Sequence, residues 1–576
     1  MGIRKLLAYC LNEENECKEK VDLVRVARER NGIEILVDYK NFLNNLRRNF
    51  AESLCENTGN EYLRLSGADY ATFDKYVCNI LKNLNSANIR FRFYIDGAKG
   101  SCKEQQRRKL DTWIKKGRKD VKKLKNVLKV SGGFDHINNL EKDDCFRPVL
   151  IEQQMLESIE SCGCDIVQIP IGEADHVIAI DLMEREKAFA VLSSDSDFCV
   201  FKDCKFIPDQ LFDMENDLHL DQIINPFSTQ SLSKLVCGMV TNERVVHSLG
   251  FTSSSDLIEM SILAGNDFTA PTLLANGLAA QMNCRTIEGY ADFIRRYRKV
   301  ENLRDFAYEM SHDSSFTKAV EYSRDFYQLR IEKAPASSSG YCTKLIEDRI
   351  REQKYPPHLI SMHFNFHWRA LILEDMRCNQ PCAEIALETL RRHVYHMILP
   401  QNIQTVTEYG RTRDHEVGSY QVCGIYQIVT NLRTFHYIMT HLEPGKENTW
   451  ADKYGRKDGF KFLMLRYFLL LNWEKNLRVS KEEFLGLTAL VFGGHTKESE
   501  YQRIPICPSP RCFTLVNWLE CIYRTMYSSI AKLLFISHEF PLPTELFSGS
   551  VWTVFYVCSD QRGRYDYGLE SIANLD

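Results

Sequence analysis

Ala188-Phe189-Ala190-Val191-Leu192-Ser193-Ser194-Asp195-Ser196-Asp197-Phe198 is the run on which the reading of this chain turns. Five apolar residues, about the length of a buried strand, stop at once in serine and aspartate. Three other runs share the form. Ile33-Glu34-Ile35-Leu36-Val37 leads into Asp38, Ile89-Arg90-Phe91-Arg92-Phe93-Tyr94-Ile95 into Asp96, and Asp165-Ile166-Val167-Gln168-Ile169-Pro170-Ile171 into Gly172-Glu173-Ala174-Asp175. Helical stretches separate them, so the alternation predicts an α/β fold with a mostly parallel sheet flanked by helices. In such a sheet the carboxyl ends of the strands line the crevice where ligands bind. Asp38, Asp96, Glu173, Asp175, Asp195 and Asp197 are therefore expected to converge, and Asp267, after the apolar stretch ending Leu263-Ala264-Gly265-Asn266, to close the set.

Any one of these acids could instead cap a helix or open a turn. Six or seven in one crevice with few bases beside them would repel one another unless cations neutralise them. Oxygen donors without cysteine or histidine select Mg²⁺ or Mn²⁺. Two such ions support hydrolysis of a phosphodiester.

Charge along the chain points to the same substrate. Lys+Arg 73 against Asp+Glu 77 leaves the 576 residues at a formal −4, which by itself argues against a nucleic-acid coat. From Lys99 to Lys129, however, thirteen basic residues face three acids, so that segment is +10 and the remainder −14. It has few helix breakers apart from Gly117, and reads as a solvated basic helix, a nuclear-import signal or a surface that tracks phosphates. Trp113 within it either stacks on a base or packs the helix on the sheet. His176 reads as a helix-packing or solvent-exposed residue rather than a metal ligand, and Cys199 as a small core residue.

The 20 cysteines form no C-x2-C pair of the structural zinc type, and the N-terminal segment has no secretory pattern. Reduced thiols, an intracellular location (nucleus or cytoplasm left open) and no membrane span are expected.

The motifs Met1-Gly2-Ile3, Val37-Asp38, Tyr94-Ile95-Asp96-Gly97, Gly172-Glu173-Ala174-Asp175, Leu192-Ser193-Ser194-Asp195-Ser196-Asp197-Phe198 and Gly265-Asn266-Asp267 resemble, in order, those of the flap endonuclease/XPG superfamily of PIN-like folds. Within it the unbroken Ser-Ser-Asp-Ser-Asp-Phe run is similar to the asteroid family. Leu390-Arg391-Arg392-His393-Val394-Tyr395 and Leu546-Phe547-Ser548-Gly549-Ser550 are loosely similar to that family's C-terminal region. The resemblance implies that Asp38, Asp96, Glu173, Asp175, Asp195, Asp197 and Asp267 bind metal, with two ions expected. It also implies that Lys103 acts on the scissile phosphate, with Arg107 on the same helical face.

Three positions depart from the pattern. Asn44 stands where a tyrosine stacks on a base, Leu110 replaces a second basic residue, and no Gly-x-Gly turn follows Asp267. Structure-specific flap cleavage is therefore not expected.

A Ser/Pro/Gly-rich break, Lys333 to Gly340, divides the expected nuclease-fold domain, 1–332, from a mainly helical domain, 341–576. The first contains an N-region of about 1–130 and an I-region of about 150–270; in the second, Ala383–Leu399 and Lys457–Trp473 are the clearest helices. The resulting expectation is a Mg²⁺- or Mn²⁺-dependent nuclease acting on DNA or RNA, with protein partners met through the C-terminal domain. The alternative is a non-catalytic scaffold for nucleic acid or protein, with a place in epidermal growth factor receptor signalling implied by the asteroid resemblance.

Overall fold

The computed structural model describes residues 2–3, 5–58, 70–98, 103–129, 147–212, 232–270, 284–296, 314–330, 341–376, 382–400, 403–412, 414–424, 456–475, 479–492 and 510–546. Two compact units are interleaved along the chain. The first comprises Met1–Asn45, Asn79–Asp96 and Cys162–Gly340; the second comprises Leu46–Cys78, Gly97–Ser161 and Tyr341–Asp576.

A seven-stranded sheet organises the first unit. Its strands are β1 (Lys18–Asp22), β2 (Ile33–Asp38), β3 (Ile89–Ile95), β4 (Asp165–Gln168), β5 (Ala188–Ser193), β6 (Lys205–Pro208) and β7 (Val236–Thr241), in spatial order β1-β7-β6-β5-β2-β3-β4. The five strands from β6 to β4 are mutually parallel, while β7 runs antiparallel to β6 and β1 antiparallel to β7. The expected mostly parallel sheet is thus present, with an antiparallel edge.

Residue choice explains the layout. Ile35, Leu36 and Val37 are all buried, as both faces of a central parallel strand require. In β3, Phe91 and Phe93 alternate with Arg90 and Arg92 and each packs 5.7 Å from the ring of Phe42. The third strand expected from sequence stops at Gln168 rather than Ile171. Pro170 has no N–H to continue the ladder.

Helix α1 (Leu6–Leu11), α2 (Leu23–Glu29) and the start of α3 (Tyr39–Thr58) belong to this unit, as does the end of α4 (Tyr70–Ser86). The second unit carries α5 (Lys103–Lys129) and α6 (Ile151–Ser161). The first then adds α7 (Asp175–Glu184), α8 (Asn242–Ser248), α9 (Ser254–Ala264), α10 (Ile287–Arg296) and α11 (Ser314–Tyr327). Leu36, Val191, Phe206 and Val240 from the sheet share one core with Ile178, Leu263, Ile294 and Phe316 from the helices. Each such side chain contributes roughly 1.5–3 kcal/mol on burial.

The second unit is mainly helical and also holds a small sheet, β10 (Val417–Cys423), β9 (Thr405–Arg411) and β8 (Phe366–Trp368) in that order. Its further helices include α12 (Tyr341–Arg351), α13 (His358–His363), α14 (Ala383–Ala386), α15 (Glu388–Ile398), α16 (Arg456–Lys475), α17 (Lys481–Phe492) and α18 (Pro510–Thr525). Trp113 of α5 packs on this sheet, with its ring centroid 5.3 Å from Trp368 and 6.5 Å from Phe366. Among the described residues no helix is long and apolar enough to cross a membrane.

Candidate functional site

The strand order reverses between β2 and β5, since β3 and β4 extend the sheet to one side and β5 and β6 to the other. That is a topological switch point, and the carboxyl ends beside it form the crevice. Asp38 is the last residue of β2 and Asp96 follows β3 directly; Asp175 opens α7 after β4, and Asp195 follows β5.

Local hydrogen bonds fix these carboxylates. Asp38 Oδ1 accepts the backbone N–H of Lys40 at 3.1 Å, and its Oδ2 accepts the Ser193 hydroxyl at 3.0 Å and the Asn41 amide. The same amide donates to Ser193 Oγ at 3.0 Å, which ties the ends of β2 and β5 together. Asp96 Oδ1 accepts the Ala174 N–H at 2.9 Å, anchoring the turn that leads into α7. Asp195 caps the short 3₁₀ turn Ser196–Cys199, accepting the Asp197 N–H at 3.1 Å. The Gly2 backbone lies against this turn: a Cβ there would stand 2.1 Å from Asp195 Oδ1, and φ is +67°. Asn266 shapes the turn that presents Asp267, its Oδ1 accepting the N–H groups of Phe268 and Thr269 at 3.0 Å.

Burial and like charge act together on this set. Burial, then the charge of Asp96, raises the Asp38 carboxyl to about 6. Asp175 is pushed well above the usual range by burial and by Asp195, Asp38, Asp96 and Asp197 in turn. Asp197 is displaced the same way by burial, Asp195 and Asp267. These mutual effects bring Asp38, Asp96, Asp175, Asp195, Asp197 and Asp267 into one electrostatic neighbourhood. Glu173 sits half-buried in the turn before α7 and is not among the leading charges on Asp38, Asp175 or Asp197.

Lys103 begins α5 in the second unit and Arg107 lies one turn on, but their side chains are outside the described residues. Cys199 is fully buried in the core, and the His176 ring packs 5.5 Å from Phe326 with burial lowering its pKa.

Two further groups were not recognised in the sequence. Asp209 follows β6 directly, is 7% exposed, and has an Oδ1 without a hydrogen-bond partner. Burial and then Asp38 raise it to about 7. The signal was present, because Phe206-Ile207-Pro208-Asp209 repeats the pattern of apolar strand and terminal acid. Tyr327, fully buried at the end of α11, carries a phenol pushed well up by burial and the charges of Asp197, Asp195 and Asp267. No local pattern marks it.

Among the described residues, no three carboxylate, imidazole or thiol groups stand close enough to hold one ion as they are. The donor chemistry suits a hard divalent cation all the same: every group is a carboxylate, and Oδ1 of both Asp197 and Asp209 is buried without a partner. A cation would lower the repulsion that keeps the acids apart.

No protein-family model matches the chain, and no curated protein matches it. Among solved structures, the catalytic core of Rad2 is 13% identical over 61% of this chain and 83% of that one, with a TM-score of 0.28. The same core in complex with DNA substrate is 14% identical over 61% and 84%, with a TM-score of 0.27. Human GEN1 in complex with Holliday junction DNA is 12% identical over 57% and 64%, with a TM-score of 0.29. Likeness at this level carries no functional inference; the chemistry of the site follows from the chain's own side chains.

Proposed function

We propose that this chain is a divalent-metal-dependent nuclease of the flap endonuclease/XPG-like kind, hydrolysing phosphodiester bonds of DNA or RNA. What supports this reading is the row of carboxylates ending five adjacent parallel strands, with Asp197 and Asp209 buried, Asp38 and Asp175 half-buried, and all four held toward their protonated forms. Such a row is costly for the fold, and a bound cation would relieve that cost. Asp38, Asp96, Asp175, Asp195 and Asp197 would hold the metal, with Asp267 and Glu173 contributing from their turns. One or two Mg²⁺ or Mn²⁺ ions would polarise the phosphodiester and ease deprotonation of an attacking water. The chain's residues set the conditions: Ser193 and Asn41 orient Asp38, and the Ala174 N–H orients Asp96. Without cations the crevice repels a polyanion, so cation binding precedes nucleic-acid binding. Lys103 and Arg107 are proposed to bind phosphate.

The finer assignment, to the asteroid family, rests on the Ser193–Phe198 run. An intracellular location and protein partners for residues 341–576 belong to the same proposal.

The test incubates the full chain with labelled single-stranded, flap and hairpin DNA and RNA in Mg²⁺ or Mn²⁺, beside an Asp195→Asn/Asp197→Asn variant. Cleavage by the wild type and a loss of at least about 100-fold in the variant are expected. Cleavage no greater than the variant's on every substrate would sink the enzyme reading and leave the non-catalytic scaffold.

A further inference from the structure

The opposite end of the same sheet holds a cavity of about 320 Å³, lined among others by Glu34, Asn85, Asn88, Arg90, Arg92 and Asp165. It sits at the amino-terminal ends of β2, β3 and β4, where Arg90 pairs in register with Glu34, and Arg92 with Asp165. Arg90 and Asp96 are six residues apart along an extended segment. The cavity and the carboxylate crevice are therefore separated by about 20 Å.

Charge balance in the wall is uneven. Glu34 is held by a two-pronged contact from Arg185, at 2.9 Å from Nε and 3.2 Å from Nη2. Asp165 accepts Arg92 Nη1 at 2.5 Å. Both wall carboxylates are thereby matched to a guanidinium. Arg90 is exposed and, among the described residues, has no ion-pair or hydrogen-bond partner, so the cavity is left with one uncompensated positive charge. Arg92 Nε is buried without a hydrogen-bond partner, with the Asp181 carboxylate 3.9 Å away. Asn88 holds φ +59°, with its N–H bonded to the Asn85 carbonyl and its carbonyl accepting the Ile33 N–H. The backbone carrying the two amide side chains at the rim is therefore fixed. No described group bonds either amide.

We propose that this cavity binds a small oxyanion ligand, a phosphomonoester or carboxylate no larger than a mononucleotide, with the Arg90 guanidinium as its principal contact. A planar guanidinium engages either oxyanion through two parallel N–H donors. The asparagine amides supply neutral hydrogen bonds beside it. A volume near 320 Å³ lies at the small end of ligand sites and suits a small molecule.

The experiment measures calorimetric binding of AMP, inorganic phosphate and citrate to the full chain in low-salt buffer containing EDTA. Saturable binding of at least one probe is expected, weakened at least about tenfold by Arg90→Gln and less by Arg90→Lys. Because the exposed Arg90 side chain makes no ion pair or hydrogen bond among the described residues, the ligand-free melting temperature of Arg90→Gln should stay within about 2 °C of wild type. AMP and phosphate binding without citrate would identify a phosphomonoester site, and citrate alone a carboxylate site. No saturable binding of any probe up to about 10 mM, or equal binding by Arg90→Gln, would overturn the proposal. The absence of divalent ions keeps the result independent of the nuclease reading. Arg90→Gln leaves cleavage in place, and Asp195→Asn/Asp197→Asn leaves this binding in place.

Discussion

Asp209 lies next to the crevice yet was overlooked in the sequence, because β6 is only four residues long and begins with a lysine. Its carboxyl titrates near 7 in the fold, against about 3.9 in an unfolded chain. The native state therefore holds a proton that the unfolded state releases between those values. Stability from this group is complete below about pH 4 and is lost as the pH rises through 7. Asp38, raised to about 6, adds a term of the same sign. In EDTA, Asp209→Asn is expected to be more stable than wild type at pH 8 by roughly 2 kcal/mol, with the gap closing toward pH 5. Thermal unfolding across that range checks it; identical pH profiles for the two proteins would show that the carboxyl is not strained. Tyr327 teaches a different lesson. It meets Asp197 from more than a hundred residues away, and nothing in its neighbouring sequence distinguishes it from any core tyrosine.

At the scale of the element, α5 shows how one sequence pattern serves two faces. Gly117, Val121, Leu124 and Leu128 are buried and Trp113 lies on β8, while Lys115, Arg118, Lys119, Lys122 and Lys129 fall at three- and four-residue spacing on the exposed side. The basic run and its helical nature were legible because period and charge are local properties. The surface it packs on was not, since Trp368, Phe366 and Val417 follow some 240 to 300 residues later. Reversing Lys115, Lys119 and Lys122 to Glu should leave the far-ultraviolet dichroism intact and weaken binding to any nucleic acid. The slope of log affinity against log salt should become shallower by about 2–3. Filter binding over a salt series measures both; unchanged affinity and slope would remove this face from the interface.

At the scale of the whole molecule, the second unit contains a charge network invisible in the sequence. Glu408 is fully buried, accepts Arg391 through two bonds of 2.7 Å, and lies 3.1 Å from Arg369 Nε. Burial pushes its carboxyl up, but the Arg391 charge and hydrogen bonds outweigh that and bring it to about 2. Arg411 pairs with Glu374 at 2.8 Å, and Glu374 also accepts the Trp518 indole N–H at 2.7 Å. Removing one member strands a buried guanidinium, so Glu408→Gln should cost about 3–5 kcal/mol. Urea unfolding followed by the tryptophan signal tests this; a loss below about 1 kcal/mol would mean that the interior rearranges around the change.

By itself the sequence determined the strands β2, β3, β4 and β5, overrunning only the end of β4, together with the acids that follow them and the segregation of basic charge. Strand propensity, a terminal carboxylate and helical period are written in a few consecutive residues. Only the tertiary structure decided which strands are neighbours, and so that the reversal of order falls between Asp38 and Asp195. It alone brought Tyr327 to Asp197, placed Arg90 in a cavity at the far end of β3, and assembled the two units from interleaved segments. Those outcomes depend on hydrophobic burial summed over residues distant in the chain, and burial is also what turns exposed, ordinary carboxylates into a crevice with raised pKa values.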